Sequence, residues 1–109
     1  FSYLCGPVQA AVTGTNGKST VSTLIASMLR SSGESASLVG NIGNSLLDLI
    51  PELPAAPLRR TDRIVAELSS YQLEWAESFS SKISVWLNLS PNHLERHGTM
   101  EEYLRAKLK

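Results

Sequence analysis

The sequence lacks the features that mark secreted, membrane-spanning and nucleic-acid-binding proteins. Its 109 residues include one cysteine, Cys5, so no disulfide can form within the chain, which favours a reducing compartment. No apolar run approaches the roughly 18 residues of a membrane span, and no signal-peptide pattern opens the chain. Ten basic residues balance ten acidic ones, so no net field favours nucleic acid or an anionic membrane. We therefore expect a cytoplasmic protein in which any phosphate binding is local.

Apolar patterning predicts strands that alternate with helices. The predicted strands are 8–13, 36–40, 63–68 and 82–88. The predicted helices run from 18 to just before Gly33, from a cap at Ser45 through Ile50, from 71 to 79, and onward from a capping box at Thr99 and Glu102. In the first helix, the stripe predicted to be buried is Val21, Leu24, Ile25, Met28 and Leu29. Prolines at 51, 54 and 57 predict a surface connection. The alternation indicates an α/β fold with a mostly parallel sheet flanked by helices.

A glycine-rich loop joins the first predicted strand to the first predicted helix and reads Gly14-Thr15-Asn16-Gly17-Lys18-Ser19-Thr20. Glycines let backbone N–H groups approach phosphate oxygens, and the helix N-terminus adds partial positive charge. The pattern predicts a P-loop-type ATP site in which Lys18 reaches the β- and γ-phosphates and Ser19 binds Mg²⁺. Val12 occupies the place of the first glycine in the general motif, so the spacing is the shorter G-x-x-G-K-S.

Four motifs, in order along the chain, resemble those of one enzyme family. The loop resembles the ATP loop of the Mur ligases, the ATP-dependent amide-forming enzymes of peptidoglycan synthesis, and of the related folylpolyglutamate synthases. The other motifs are Gly-Asn-Ile-Gly at 40–43, Glu-Leu-Ser-Ser-Tyr-Gln-Leu-Glu at 67–74, and the segment 88–107 with His-Leu-Glu-Arg-His at 93–97. These three resemble the branch of the family that adds D-glutamate, and the match runs from about Val8 to Leu108.

The resemblance implies a two-stage ligation. ATP phosphorylates the carboxylate of UDP-N-acetylmuramoyl-L-alanine, and the amine of D-glutamate then displaces phosphate to form an amide. It also implies a monomeric bacterial enzyme in which residues 1–109 form part of the central ATP-binding domain, between a UDP-binding and an amino-acid-binding domain. Because the chain starts at Phe1 and stops within a predicted helix, we expect a fragment that is inactive alone.

Two further residues at predicted strand ends are candidates for binding metal. Glu67 closes a strand, and ligands of open α/β sheets bind at the carboxyl ends of strands. The residues alone leave a magnesium ligand and an ordinary strand-end acid equally open; the resemblance implies the magnesium ligand. His93 and His97 do not match a zinc-protease motif, because Leu94 stands where glutamate is needed. A lone loop histidine is more often structural, but the resemblance implies that His93 acts in catalysis, in substrate binding and at a second Mg²⁺.

Four residues have both a structural and a functional interpretation. Lys107 reads as part of a solvated helix face, yet the pattern Tyr-x-x-Ala-Lys implies a carbamylated lysine, whose oxygens would suit Mg²⁺. Asn41 is a turn former, and the resemblance implies contact with the substrate diphosphate. Ser69 and Ser70 are candidate caps of the next helix, Ser69 is also a candidate to face the substrate, and Gln72 could do either.

Two alternatives remain open at this point. One is another Mur ligase or a folylpolyglutamate synthase, against which Ser19 and the 67–74 motif argue. The other is a nucleotide-binding module without ligase activity, for which Glu67, His93 and Lys107 would be dispensable.

Overall fold

The computed structural model describes residues 8–45, 63–76, 79–90, 99, 101–102 and 105. Its named elements are β1 (Val8–Thr13), α1 (Lys18–Ser31), β2 (Ala36–Gly40), β3 (Arg63–Glu67), α2 (Ser70–Glu74) and β4 (Ser81–Trp86). The predicted bounds of β1 and β2 are confirmed, and β3 ends one residue earlier than predicted. None of the described helices is long and apolar enough to span a membrane.

The four described strands form one sheet in the order β2-β3-β1-β4, and every neighbouring pair is parallel. The predicted α/β class is therefore confirmed. Glu67 at the end of β3 is in register with Val12 on one side and Gly40 on the other. The last residue of β3 thus lies at the centre of the edge where the carboxyl ends of the strands meet.

Both faces of the sheet carry apolar clusters. On one face, α1 contributes Ala26, with Ile25 and Leu29 beside it, to a cluster that includes Ala10 and Val65. Leu73 of α2 joins the other cluster, which contains Val8, Ala11, Val39, Ile64, Ala66 and Leu68. The helices therefore cover opposite faces, as expected of a parallel sheet that is buried on both sides.

The stripe predicted to be buried on α1 is partly wrong. Leu24 is 56% exposed and Met28 is 62% exposed, whereas Ser22 and Ala26 are fully buried. Small side chains let the helix backbone approach the sheet closely, and this moves the buried face away from Leu24. The Ser22 hydroxyl is satisfied within the helix, because it donates to the carbonyl of Lys18 at 2.8 Å.

The helix predicted over 71–79 is shorter than expected and ends at Glu74. Phe79 follows outside the helix and still packs against the core cluster that contains Leu73. The apolar spacing thus identified core residues but not the element that carries them.

The capping box at Thr99 and Glu102 is confirmed by reciprocal bonds of 3.2 Å. The short helix predicted after the Ser45 cap and the proline-rich connection lie outside the described residues.

Candidate functional site

The glycine-rich loop lies between β1 and α1, at the carboxyl edge of the sheet. Gly17 precedes the helix with φ +85°, a left-handed conformation that glycine adopts without steric cost. The backbone N–H groups of the first turn of an α-helix have no partner within the helix. At Lys18, Ser19 and Thr20 they therefore form an anion-binding helix N-terminus directly after the loop.

Lys18 folds back over this loop. Its ammonium donates hydrogen bonds to the carbonyl oxygens of Gly14 at 3.0 Å and Thr15 at 3.2 Å. Within the described part of the chain, the ion pairs join other residues, Arg63 with Glu34 and Arg105 with Glu101. The Lys18 charge is therefore held at the loop without a described carboxylate to neutralise it.

Glu67 is almost fully buried, with 1% of its surface exposed. One carboxylate oxygen, Oε2, accepts a hydrogen bond from the Ser19 hydroxyl at 2.9 Å, and Oε1 accepts one from the Asn41 side-chain amide at 3.0 Å. A buried carboxylate is costly unless it is paired, and these described donors are neutral. Ser19 and Glu67 therefore form a pair of oxygen ligands of the kind that Mg²⁺ prefers.

Further acidic or imidazole ligands do not surround this pair among the described residues. The described part of the chain contains no group of three or more His, Cys, Asp or Glu side chains able to hold a metal ion. Of the predicted metal ligands, the structure brings Ser19 and Glu67 together. His93 and Lys107 lie outside the described residues, as do His97 and Cys5.

A tight turn after β2 places Asn41 against Glu67. Gly40 has φ +106°, and a Cβ atom there would overlap the carbonyl oxygen of Glu67. The backbone N–H of Gly40 donates to the carbonyl of Asn44 at 3.1 Å, which closes the turn. The backbone N–H of Asn41 donates to the carbonyl of Glu67 at 2.9 Å. Asn41, the residue predicted to contact the substrate diphosphate, thus lies next to the carboxylate of Glu67.

Asn88, two residues beyond β4, holds the loop from the other side. Its Oδ1 accepts hydrogen bonds from the backbone N–H groups of Thr15 and Asn16, both at 2.9 Å. Its side-chain nitrogen donates to the carbonyl of Asn16 at 2.9 Å. Sequence reasoning assigned no role to Asn88. Its place at the end of a predicted strand indicated the carboxyl edge of the sheet, but the position of β4 beside β1 is seen only in the structure.

Ser69 caps α2. Its hydroxyl accepts a hydrogen bond from the N–H of Gln72 at 3.3 Å, and the Gln72 side chain accepts one from the N–H of Ser69 at 2.9 Å. This reciprocal pair is a capping box. The capping interpretation of both residues is confirmed, and contact of Ser69 with a substrate stays a prediction.

A cavity of about 360 Å³ lies beside this edge, between β1, β4 and α2. Its lining is largely apolar, with serine hydroxyls, and consists of Ala11, Thr13, Leu68, Leu73, Phe79, Ser80, Ser81, Ser84, Val85 and Trp86. None of the described residues predicted to bind ATP, metal or substrate lines it. The candidate site is therefore the open edge formed by the loop, Glu67 and Asn41.

Comparison with known proteins agrees with this geometry. A family model described as the Mur ligase middle domain matches residues 12–109. The chain belongs to the Mur ligase family. The match includes the loop, Asn41, Glu67 and Asn88, so the described site lies within the family domain.

Relatives in this family are considerably longer than the chain. The UDP-N-acetylmuramoylalanine–D-glutamate ligase of Desulfitobacterium hafniense (strain Y51) is 45% identical over 99 residues, which cover 91% of this chain and 21% of that protein. The ligase of the same name from Trichlorobacter lovleyi is 44% identical over 107 residues, which cover 98% and 23%. This Mur ligase chain thus spans between a fifth and a quarter of these relatives.

A solved structure is similar in fold as well as in sequence. It is described as UDP-N-acetylmuramoyl-L-alanyl-D-glutamate–2,6-diaminopimelate ligase, and it matches with a TM-score of 0.69 and 36% identity. The alignment covers 94% of this Mur ligase chain and 24% of that structure. The fold of this chain is therefore shared with a ligase whose name gives 2,6-diaminopimelate as the acceptor.

Proposed function

We propose that this chain is part of the central ATP-binding domain of a ligase that joins D-glutamate to UDP-N-acetylmuramoyl-L-alanine in peptidoglycan synthesis. The observation that carries the proposal is the contact between Ser19, in the loop at the start of α1, and the buried carboxylate of Glu67. The names of the relatives quoted above supply the two substrates. The chain spans about a fifth of those relatives, and we assign no uridine or D-glutamate contact to its residues.

ATP is the nucleotide that we assign to the loop. The N–H groups at the start of α1 have no partner within the helix and suit the oxygens of a phosphate chain. Lys18, now bonded to two loop carbonyls, carries the positive charge that an incoming triphosphate needs beside it. The remaining backbone of this predicted site comes from Gly14, Thr15, Asn16, Gly17 and Thr20.

Magnesium fits the residues that the structure brings together. Ser19 and Glu67 present a hydroxyl and a carboxylate oxygen at 2.9 Å from each other, and both are ligand types of a hard cation. When bound, the ion would neutralise charge on the phosphates. His93 and a carbamylated Lys107 stay predicted ligands of a second ion, and His93 a predicted contact of the substrate.

The reaction that we propose has two steps. A carboxylate oxygen of UDP-N-acetylmuramoyl-L-alanine attacks the γ-phosphorus of ATP, the bond to the β-phosphate oxygen breaks, and ADP leaves. The amine of D-glutamate then attacks the carbonyl carbon of the acyl phosphate, loses a proton and expels inorganic phosphate, which leaves an amide. The task of Lys18 is to hold the anionic phosphates beside a second anion, and positioning of this kind accounts for much of phosphoryl-transfer catalysis.

This function places the enzyme in the bacterial cytoplasm, where its monomer serves cell-wall growth and hence cell shape and division. A Mur ligase with a different acceptor is the second candidate, because the solved structure quoted above is a diaminopimelate-adding ligase. Assays with D-glutamate, diaminopimelate and other amino acids as acceptors separate the two. If D-glutamate is the only one of these acceptors that supports ADP release in the presence of UDP-N-acetylmuramoyl-L-alanine, the result supports the first candidate.

The test of the proposal is Lys18→Ala in the complete ligase that contains this chain. ADP release that depends on UDP-N-acetylmuramoyl-L-alanine and D-glutamate should fall by roughly 100-fold or more, since removal of one preorganised charge costs that much in comparable sites. Lys82→Ala is the matched control, because Lys82 is exposed on β4 and outside the site. Full activity of Lys18→Ala would contradict the assignment of the loop to ATP.

A further inference from the structure

Asn88 uses both halves of its side-chain amide on the phosphate loop. Oδ1 accepts from two consecutive N–H groups, those of Thr15 and Asn16, and the amide nitrogen donates to the carbonyl of Asn16. Donor and acceptor therefore both have partners, which fixes the orientation of the amide. These bonds join residues 72 and 73 positions apart in the chain.

The backbone around Asn88 reinforces the same contact. The carbonyl of Asn88 accepts a hydrogen bond from the N–H of Thr15 at 3.2 Å, and the N–H of Ser90 donates to the Thr15 hydroxyl at 3.0 Å. A Cβ atom on Gly14 would lie 3.1 Å from that of Leu87 and 3.3 Å from the nitrogen of Asn88. The segment after β4 thus packs closely against the first half of the loop.

The loop consequently divides its N–H groups between two tasks. Those of Thr15 and Asn16 are bonded to Asn88, while the groups at the start of α1 have no partner within the helix. The bonds to Asn88 join protein atoms only, so a nucleotide is not needed to form them. A loop that is already ordered spares the nucleotide the entropy cost of ordering it.

We propose that Asn88 is a positioning residue that preorganises the phosphate loop for ATP. This inference rests on the proposed function in one respect, namely that ATP is the ligand of the loop. Asn88 acts on the reaction indirectly, because its side chain contacts the backbone of Thr15 and Asn16. Its loss should therefore weaken nucleotide binding much more than it slows the reaction of bound substrates.

The experiment compares Asn88→Ala, Asn88→Asp and the control Asn44→Ala in the complete ligase. Asn44 is exposed and belongs to the turn on the far side of the site. Titration calorimetry with a non-hydrolysable ATP analogue should show a Kd raised about tenfold in Asn88→Ala, the size expected from lost neutral hydrogen bonds. The KM for the UDP-linked substrate and the kcat at saturating ATP should stay within about threefold of the parent values.

Hydrogen exchange gives a second readout that does not depend on activity. Without nucleotide, the amide of Asn16 should exchange faster in Asn88→Ala than in the parent, whereas that of Thr15 keeps the backbone carbonyl of residue 88 as an acceptor. In Asn88→Asp both amides should stay protected, because a carboxylate oxygen can still accept both bonds. This variant should nevertheless bind the ATP analogue weakly, since it loses the donor to Asn16 and adds negative charge near the phosphates.

Several results would overturn the inference. They are a Kd for the analogue within twofold of the parent in both variants, unchanged exchange of the Asn16 amide in Asn88→Ala, and an equal loss of affinity for ATP and the UDP-linked substrate. If Asn88→Ala does not fold, Asn88→Asp decides by its Kd. A parent ligase that does not bind the analogue would instead refute the proposed function, so the two failures are distinguishable.

Discussion

The side-chain amide of Asn41 donates a hydrogen bond of 3.0 Å to Oε1 of Glu67, and the backbone N–H of Asn41 donates to the carbonyl of the same residue at 2.9 Å. Ser19 occupies the other carboxylate oxygen at 2.9 Å. The carboxylate is therefore held in one orientation by two neutral side chains from different elements. This arrangement leaves a negative charge at the sheet edge beside the phosphate loop.

Asn41→Ala tests how far this orientation depends on the amide. The change leaves Oε1 of a buried carboxylate without its donor, so the free energy of unfolding should fall by about 1.5–3 kcal/mol, the range for hydrogen bonds to charged groups. The concentration of Mg²⁺ needed for half-maximal activity of the complete ligase should also rise. Denaturant titration and a Mg²⁺ titration measure the two effects. Asn44→Ala is the control, and equal behaviour of the two variants would contradict the prediction.

Gly40→Ala and Gly33→Ala separate backbone strain from steric overlap. Both glycines have positive φ, +106° and +89°, so either alanine costs about 1 kcal/mol through its backbone conformation. A Cβ atom on Gly33 meets no atom within 4 Å, whereas one on Gly40 overlaps the carbonyl oxygen of Glu67. Gly40→Ala should therefore lower the free energy of unfolding by at least about 2 kcal/mol more than Gly33→Ala. Equal denaturation midpoints for the two variants would contradict this prediction, because they would show that the turn at Gly40 accommodates a Cβ atom without loss of stability.

Ser69→Ala and Gln72→Ala separate the two roles considered for Ser69. Each variant breaks the capping box, so each should lower the free energy of unfolding by about 1 kcal/mol, and the double variant should lose less than the sum. If Ser69 also faces the substrate, as we predict, the KM for the UDP-linked substrate rises in Ser69→Ala alone. An unchanged KM in both variants would leave Ser69 as a cap only.

Much of the fold follows from short stretches of sequence. β1, β2 and the start of α1 lie where patterning predicts them, because strand propensity and the change of period at Lys18 depend on neighbouring residues. The errors occur where packing decides. Ser22 and Ala26 form the buried face of α1 because only small side chains fit between the helix and the sheet there. Hydropathy alone predicts that Leu24 and Met28 are buried instead.

Local sequence was sufficient to identify the phosphate loop, since its glycines, Lys18 and the helix that follows occupy consecutive positions. The contacts around the loop were decided by the folded sheet alone. Glu67 meets Ser19 across 48 residues and Asn41 across 26, and Asn88 meets Thr15 across 73. A parallel sheet brings the carboxyl ends of its strands to one edge whatever their separation in the chain. For that reason Glu67 could be placed near the loop from sequence, whereas its bond to Asn41 and the contact of Asn88 with the loop could not.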